Sequence, residues 1–64
     1  MKYFLIEEDE KVSILETTKE THRTLKEQGI KVVGLFGRVD YANIWCGFHN
    51  GKIDREELRL KLGL

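Results

Sequence analysis

Hydrophobic and polar positions alternate at both ends of this chain and cluster in its middle. Residues 2–6, KYFLI, form a short run in which Tyr3 and Leu5 share one strand face and Phe4 and Ile6 the other. A strand apolar on both faces belongs at the centre of a sheet or under cover on both sides. Four consecutive acidic residues, 7–10, interrupt the pattern, and residues 11–15, KVSIL, return with Val12 and Ile14 on one face. The two runs predict a hairpin with a charged, solvated turn.

Residues 17–28 carry the helix signature. Lys, Glu, Gln and Leu dominate, Thr17 with Glu20 fits a capping box, Ser13 with Glu16 offers an earlier one, and Gly29 follows as a stop. The apolar stripe (Leu15, Thr18, His22, Leu25) is thin, so the helix covers a sheet with one narrow face. A longer helix over 13–28, leaving a single N-terminal strand, is the alternative.

The most apolar and aromatic stretch is 30–49. Ile30, Val32, Val33, Leu35 and Phe36 read as a strand bounded by Gly29 and Gly37. A second run then alternates, with Ala42, Ile44, Cys46 and Phe48 on one face and Tyr41, Asn43, Trp45, Gly47 and His49 on the other. This predicts a strand over 41–49, paired with 30–36. Asn50-Gly51 is a strong short hairpin signal, because both residues tolerate the left-handed angles of a type I′ turn. Residues 54–61 open with Asp54 as N-cap and Glu57 three positions on, which favours a short helix. The tail conflicts with it, since Leu58, Leu60, Leu62 and Leu64 repeat with the period of a strand. The predicted fold is α+β, one domain over 1–64, in the order β-β-α-β-β with a short C-terminal helix and the main helix packed on one sheet face.

Composition narrows the function classes. The 64 residues hold 11 basic and 11 acidic side chains and no proline. Zero net charge argues against a broad polycationic nucleic-acid binder, although a local basic face would not show in the sum. No apolar run approaches the ~20 residues of a membrane span. The acidic quartet following the first apolar residues is unlike a signal peptide. The single cysteine allows no internal disulfide. The expectation is a cytoplasmic protein without a membrane segment.

Candidate chemistry is sparse. The acidic quartet has oxygen ligands for a hard cation but no glycine to wrap them into a loop. The run NGKIDREE resembles the second half of a calcium loop, but Cys46 and Phe48 stand where oxygen ligands belong, which excludes it. Cys46 and His49 have C-x-x-H spacing, yet a closed zinc site needs four ligands, and in a strand these two point to opposite faces. Cys46 with a histidine could form a nucleophilic pair, but on an apolar strand face it reads as a small hydrophobe. Residues 34–37 lack the lysine and the spacing of a phosphate loop. The expectation is a protein that is not an enzyme and uses no cofactor or metal.

Binding features are stronger. Tyr41, Trp45 and His49 share one face and suit a protein partner, with stacked nucleic-acid bases as the other possibility and helix-covered core as the plain alternative. Lys19, Arg23 and Lys26 form a basic helix stripe, partly neutralised by Glu20 and Glu27, that could meet phosphate. Leu60 and Leu64 have no evident place in so small a core, which predicts self-association as a homodimer through the tail or a sheet edge. The functional expectation is a small regulatory or inhibitory protein that binds another protein. A nucleic-acid-binding regulator using the basic stripe and aromatic face is the runner-up.

Overall fold

The computed structural model describes residues 1–63 of the chain. Its element order is β-β-α-β-α-α, with a three-stranded antiparallel sheet ordered β2-β1-β3. The α+β class expected from the sequence holds, but the order β-β-α-β-β does not.

Strands β1 (Lys2–Glu8) and β2 (Lys11–Thr17) pair without interruption from Lys2↔Thr17 to Glu8↔Lys11. Only the second half of the acidic quartet makes their turn, with Asp9 and Glu10 at φ 52° and 66°, while Glu7 and Glu8 extend β1. Two successive left-handed residues match the right-handed twist of a tight hairpin, although neither is glycine. Strand β3 (Lys31–Phe36) lies on the other side of β1, where Tyr3 faces Phe36 and Glu7 faces Lys31. A register shift between Leu5 and Ile6 leaves Val33 as the extra residue of a bulge. The N-terminal run is therefore the central strand, as its two apolar faces suggest. Phe4 and Leu5, adjacent and on opposite faces, are both 0% exposed.

Helix α1 (Thr21–Glu27) is shorter than the 17–28 expected. Thr17 stays in β2, paired with Lys2, so neither proposed capping box forms. Its hydroxyl instead meets that of Thr21 at 2.9 Å. Gly29 does end the helix, at φ 76°, with Ile30 N–H donating to the Leu25 carbonyl and Gly29 N–H to that of Lys26. Leu25 is buried, and His22 sets its ring 5.6 Å from that of Phe4, so α1 covers the Phe4 face.

Residues 41–49 do not form the expected strand. This stretch is α2 (Val39–His49), a helix. Ala42 is fully buried, and Trp45 and Cys46 pack with it on Leu5 and Val12, together with Tyr3, Ile14, Val33 and Phe36. Positions 42, 45, 46 and 49 have i, i+3, i+4, i+7 spacing, so a helical face was present beneath the alternation. The sheet therefore carries helices on both faces, not on one. Asn50-Gly51 ends α2 instead of turning a hairpin. Gly51 sits at φ 76°, Lys52 N–H donates to the Gly47 carbonyl and Gly51 N–H to that of Phe48. The same need for a left-handed residue serves both motifs.

Helix α3 (Arg55–Leu62) forms where the sequence places it. Glu57 N–H donates to the Asp54 side chain at 2.8 Å, and Gly63 closes the helix at φ 78°. The helix packs on α2 with Leu58 buried and Leu62 half-buried, while Leu60 faces solvent.

One side chain ties α2 to the sheet edge. The Asn50 amide accepts from Val12 N–H at 2.8 Å and donates to the Val12 carbonyl at 2.8 Å. Cys46 Sγ donates to the same carbonyl at 3.3 Å. Asparagine can fill both roles because its amide carries an acceptor and donors, whereas an ionised aspartate only accepts. Asn50→Asp is expected to lower unfolding stability by about 1–3 kcal/mol, since it loses one bond and sets a carboxylate against the Val12 carbonyl. Asn50→Ala is expected to cost less than Asn50→Asp. Urea unfolding followed by circular dichroism checks both the size and the order.

Candidate functional site

Helix α2 places Tyr41, Trp45 and His49 at i, i+4, i+8, one side of the helix as they would have been one side of a strand. A spacing of four satisfies both periods, so the grouping survives the change of element, but the surroundings differ from residue to residue. Trp45 is half-buried and stacks on Phe36 of β3, with centroids 6.4 Å apart and planes at 21°. It meets Phe48 edge-on at 6.0 Å and His49 at 6.3 Å, and Phe48 and His49 are themselves 6.0 Å apart. Trp45 is thus part of the joint between α2 and β3 as well as a surface residue.

Tyr41 lies one turn nearer the start of α2 and is 39% exposed. The Arg38 guanidinium carbon sits 5.2 Å from its ring centroid, within cation–π range. Arg38 is also forked onto Asp40, with Nε to Oδ1 at 3.2 Å and Nη2 to Oδ2 at 2.8 Å. This fork fixes the guanidinium plane over the ring before any partner arrives. Asp40 also lies in the first helical turn, where the helix dipole favours a negative charge. The sequence points to Tyr41, Trp45 and His49, with Arg38 among the side chains they could stack against, but not to Phe36 and Phe48 as their neighbours. Arg38 and Tyr41 are three apart, a spacing that brings them together only once a helix is known to begin at Val39.

Leu60 is 72% exposed on α3, away from buried Leu58, and is not joined to the aromatic group by any contact described. Leu64 lies outside the described residues. Lys19 sits in the turn before α1, and Arg23 and Lys26 lie on α1. With Glu20 and His22 they line one open depression. The stripe is interleaved with acid there, and Arg23 Nε lies 4.0 Å from Glu27 Oε1 with both side chains exposed, a geometry that contributes little to stability.

Cys46 and His49 are one helical turn apart, not on opposite faces. The thiol is engaged with the Val12 carbonyl, and the imidazole packs on Trp45 and Phe48. Among the described residues no three His, Cys, Asp or Glu side chains gather as a metal site. Nor is any helix there long and apolar enough to cross a membrane. No family model, curated protein or solved structure matches the chain.

These environments divide the group into a structural residue and a free one. Trp45→Ala is expected to cost about 3 kcal/mol, most of the ~3–5 kcal/mol available to one small core, and to leave much of the chain unfolded. Tyr41→Ala is expected to stay within about 1 kcal/mol of wild type, as exposed substitutions do. Thermal melts of the two variants make the comparison.

Proposed function

We propose that this chain is a small non-enzymatic protein that binds and regulates or inhibits a larger protein, through the α2 surface formed by Arg38, Tyr41, Trp45 and His49. The observation that carries the reading is the Arg38–Tyr41 pair, an exposed aromatic ring under a guanidinium already held by Asp40. Arginine, tyrosine and tryptophan are the side chains that dominate binding energy at protein interfaces. Holding them in place beforehand reduces the ordering cost of association. Leu60, exposed on α3, offers a further apolar contact. The engaged states of the Cys46 thiol and the His49 ring support a binding role over a nucleophilic one. A lone cysteine fits the reducing cytoplasm, where such a regulator would act.

Tagged wild-type protein is expected to capture one specific protein from native lysate, and Tyr41→Ala and Arg38→Ala are each expected to reduce its recovery about tenfold, as loss of an interface anchor does. Capture that is indifferent to both substitutions sinks the proposed surface. Retention of nucleic acid alone sinks the reading as a whole.

A second reading rests on the depression shared by Lys19, Arg23 and Lys26. There the chain is a nucleic-acid-binding regulator whose basic side chains contact phosphate, with the aromatic face as an auxiliary stacking surface. It requires retarded migration of DNA or RNA that weakens steeply with salt and is abolished by Arg23→Glu. A titration unaffected by that charge reversal removes it.

A further inference from the structure

The hydrogen bonds of Asn50 show which way the edge of β2 faces. Val12 N–H and C=O both point to Asn50 and therefore away from β1. Main-chain groups alternate in direction along an antiparallel strand, so those of Ile14 and Glu16 also point outward. Neither has a hydrogen-bond partner among the described residues. The β2 edge is thus closed at Val12 and open at Ile14 and Glu16. The other edge, β3, is interrupted by its bulge at Val33, a common protection against edge pairing.

The chain also has surface to spare. Its accessible area is 4866 Å², against about 4,250 Å² for a typical folded monomer of its mass. Its radius of gyration is 12.0 Å, with extents of 35 × 25 × 13 Å, against about 11 Å for a compact domain of its length. The excess, about 600 Å² by that scaling, is somewhat below the ~800 Å² that each partner gives up in a standard interface.

We propose that β2 pairs antiparallel with β2 of a second copy about a two-fold axis at Leu15, joining the two sheets into one. Asn50 selects this register. Pairing centred on Ser13 or Ile14 needs the Val12 main-chain groups that Asn50 occupies. Pairing centred on Glu16 sets the two Glu16 side chains directly opposite each other, which like charge opposes. Centred on Leu15, each Ile14 exchanges both main-chain bonds with Glu16 of the second copy. Leu15 then meets its own copy as a close, non-hydrogen-bonded pair, and Ser13 lies opposite Thr17, so that hydroxyl faces hydroxyl. The interface uses neither the α2 aromatic surface nor Leu60, so it stands or falls independently of the binding role proposed above.

Size exclusion with light scattering, run at ~10 and ~200 μM to move the association equilibrium, is expected to show a mass rising from 7.5 kDa toward twice that value. Glu16→Pro removes an outward N–H that no bond within the chain uses, and is expected to hold the protein at 7.5 kDa at both concentrations. Leu15→Cys is expected to form a disulfide between copies on mild oxidation, since non-hydrogen-bonded pairs bring Cα atoms to about 4.5 Å. Peptide mass mapping then separates that bridge from any through Cys46, and Leu35→Cys on β3 is expected to give none. A mass of 7.5 kDa for the wild type at both concentrations overturns the proposal. So does a dimer that survives Glu16→Pro, or a Leu15→Cys protein that does not cross-link at position 15. The cross-linking arm decides the matter if Glu16→Pro fails to fold.

Discussion

Two adjacent residues, Phe4 and Leu5, are completely buried on opposite faces of one strand, and the rest of the fold answers that requirement. A strand apolar on both faces cannot stand at an open edge or leave either face to water. It takes β2 on one side and β3 on the other, and it takes a helix above and a helix below. Helix α1 supplies His22 and Leu25 to the Phe4 face, and α2 supplies Ala42, Trp45 and Cys46 to the Leu5 face. Sixty-four residues are scarcely enough for three layers. The helices are accordingly short, and many apolar side chains remain half-exposed.

The parts of the chain that could be read directly are those whose local signals agree. Residues 2–6, 11–15 and 30–36 have strand patterns bounded by turn residues, whereas at α3 the Asp54 cap argued for a helix against the period-two leucines of the tail. The stretch from 39 to 49 was ambiguous for a definable reason. Its alternation puts Ala42 and Cys46 on one side and Tyr41, Trp45 and His49 on the other, and a spacing of four keeps each group together in a helix too. Only Val39 and Ile44 are β-branched there, so strand propensity adds little to the alternation. Asn50-Gly51 then reinforced the wrong choice, because a helix stop and a hairpin turn make the same demand on Gly51.

The candidate surface inherits this history. Tyr41, Trp45 and His49 could be grouped without knowing their element. Their separate characters could not, since exposure depends on what lies beside the helix. Phe36 comes to Trp45 from β3, across a contact that no local pattern encodes. Arg38 reaches Tyr41 because a helix begins between them. The outcome is graded, with Trp45 half-buried and holding α2 to the sheet, and with His49 beside it and Tyr41 one turn away both exposed.

The end of α2 does more than stop the helix. With Gly51 taking the left-handed position, the helix finishes with Asn50 beside the edge of β2, and its amide makes there the two bonds that a neighbouring strand would make. A single side chain thus acts as one residue of an absent strand. Closing an edge at one position stops a passing strand from pairing along the whole of it, yet leaves a short, defined length open beyond. An edge left wholly bare would accept many registers, and one wholly covered would accept none. An edge closed at Val12 and open at Ile14 and Glu16 limits the registers geometrically, before any side-chain preference acts.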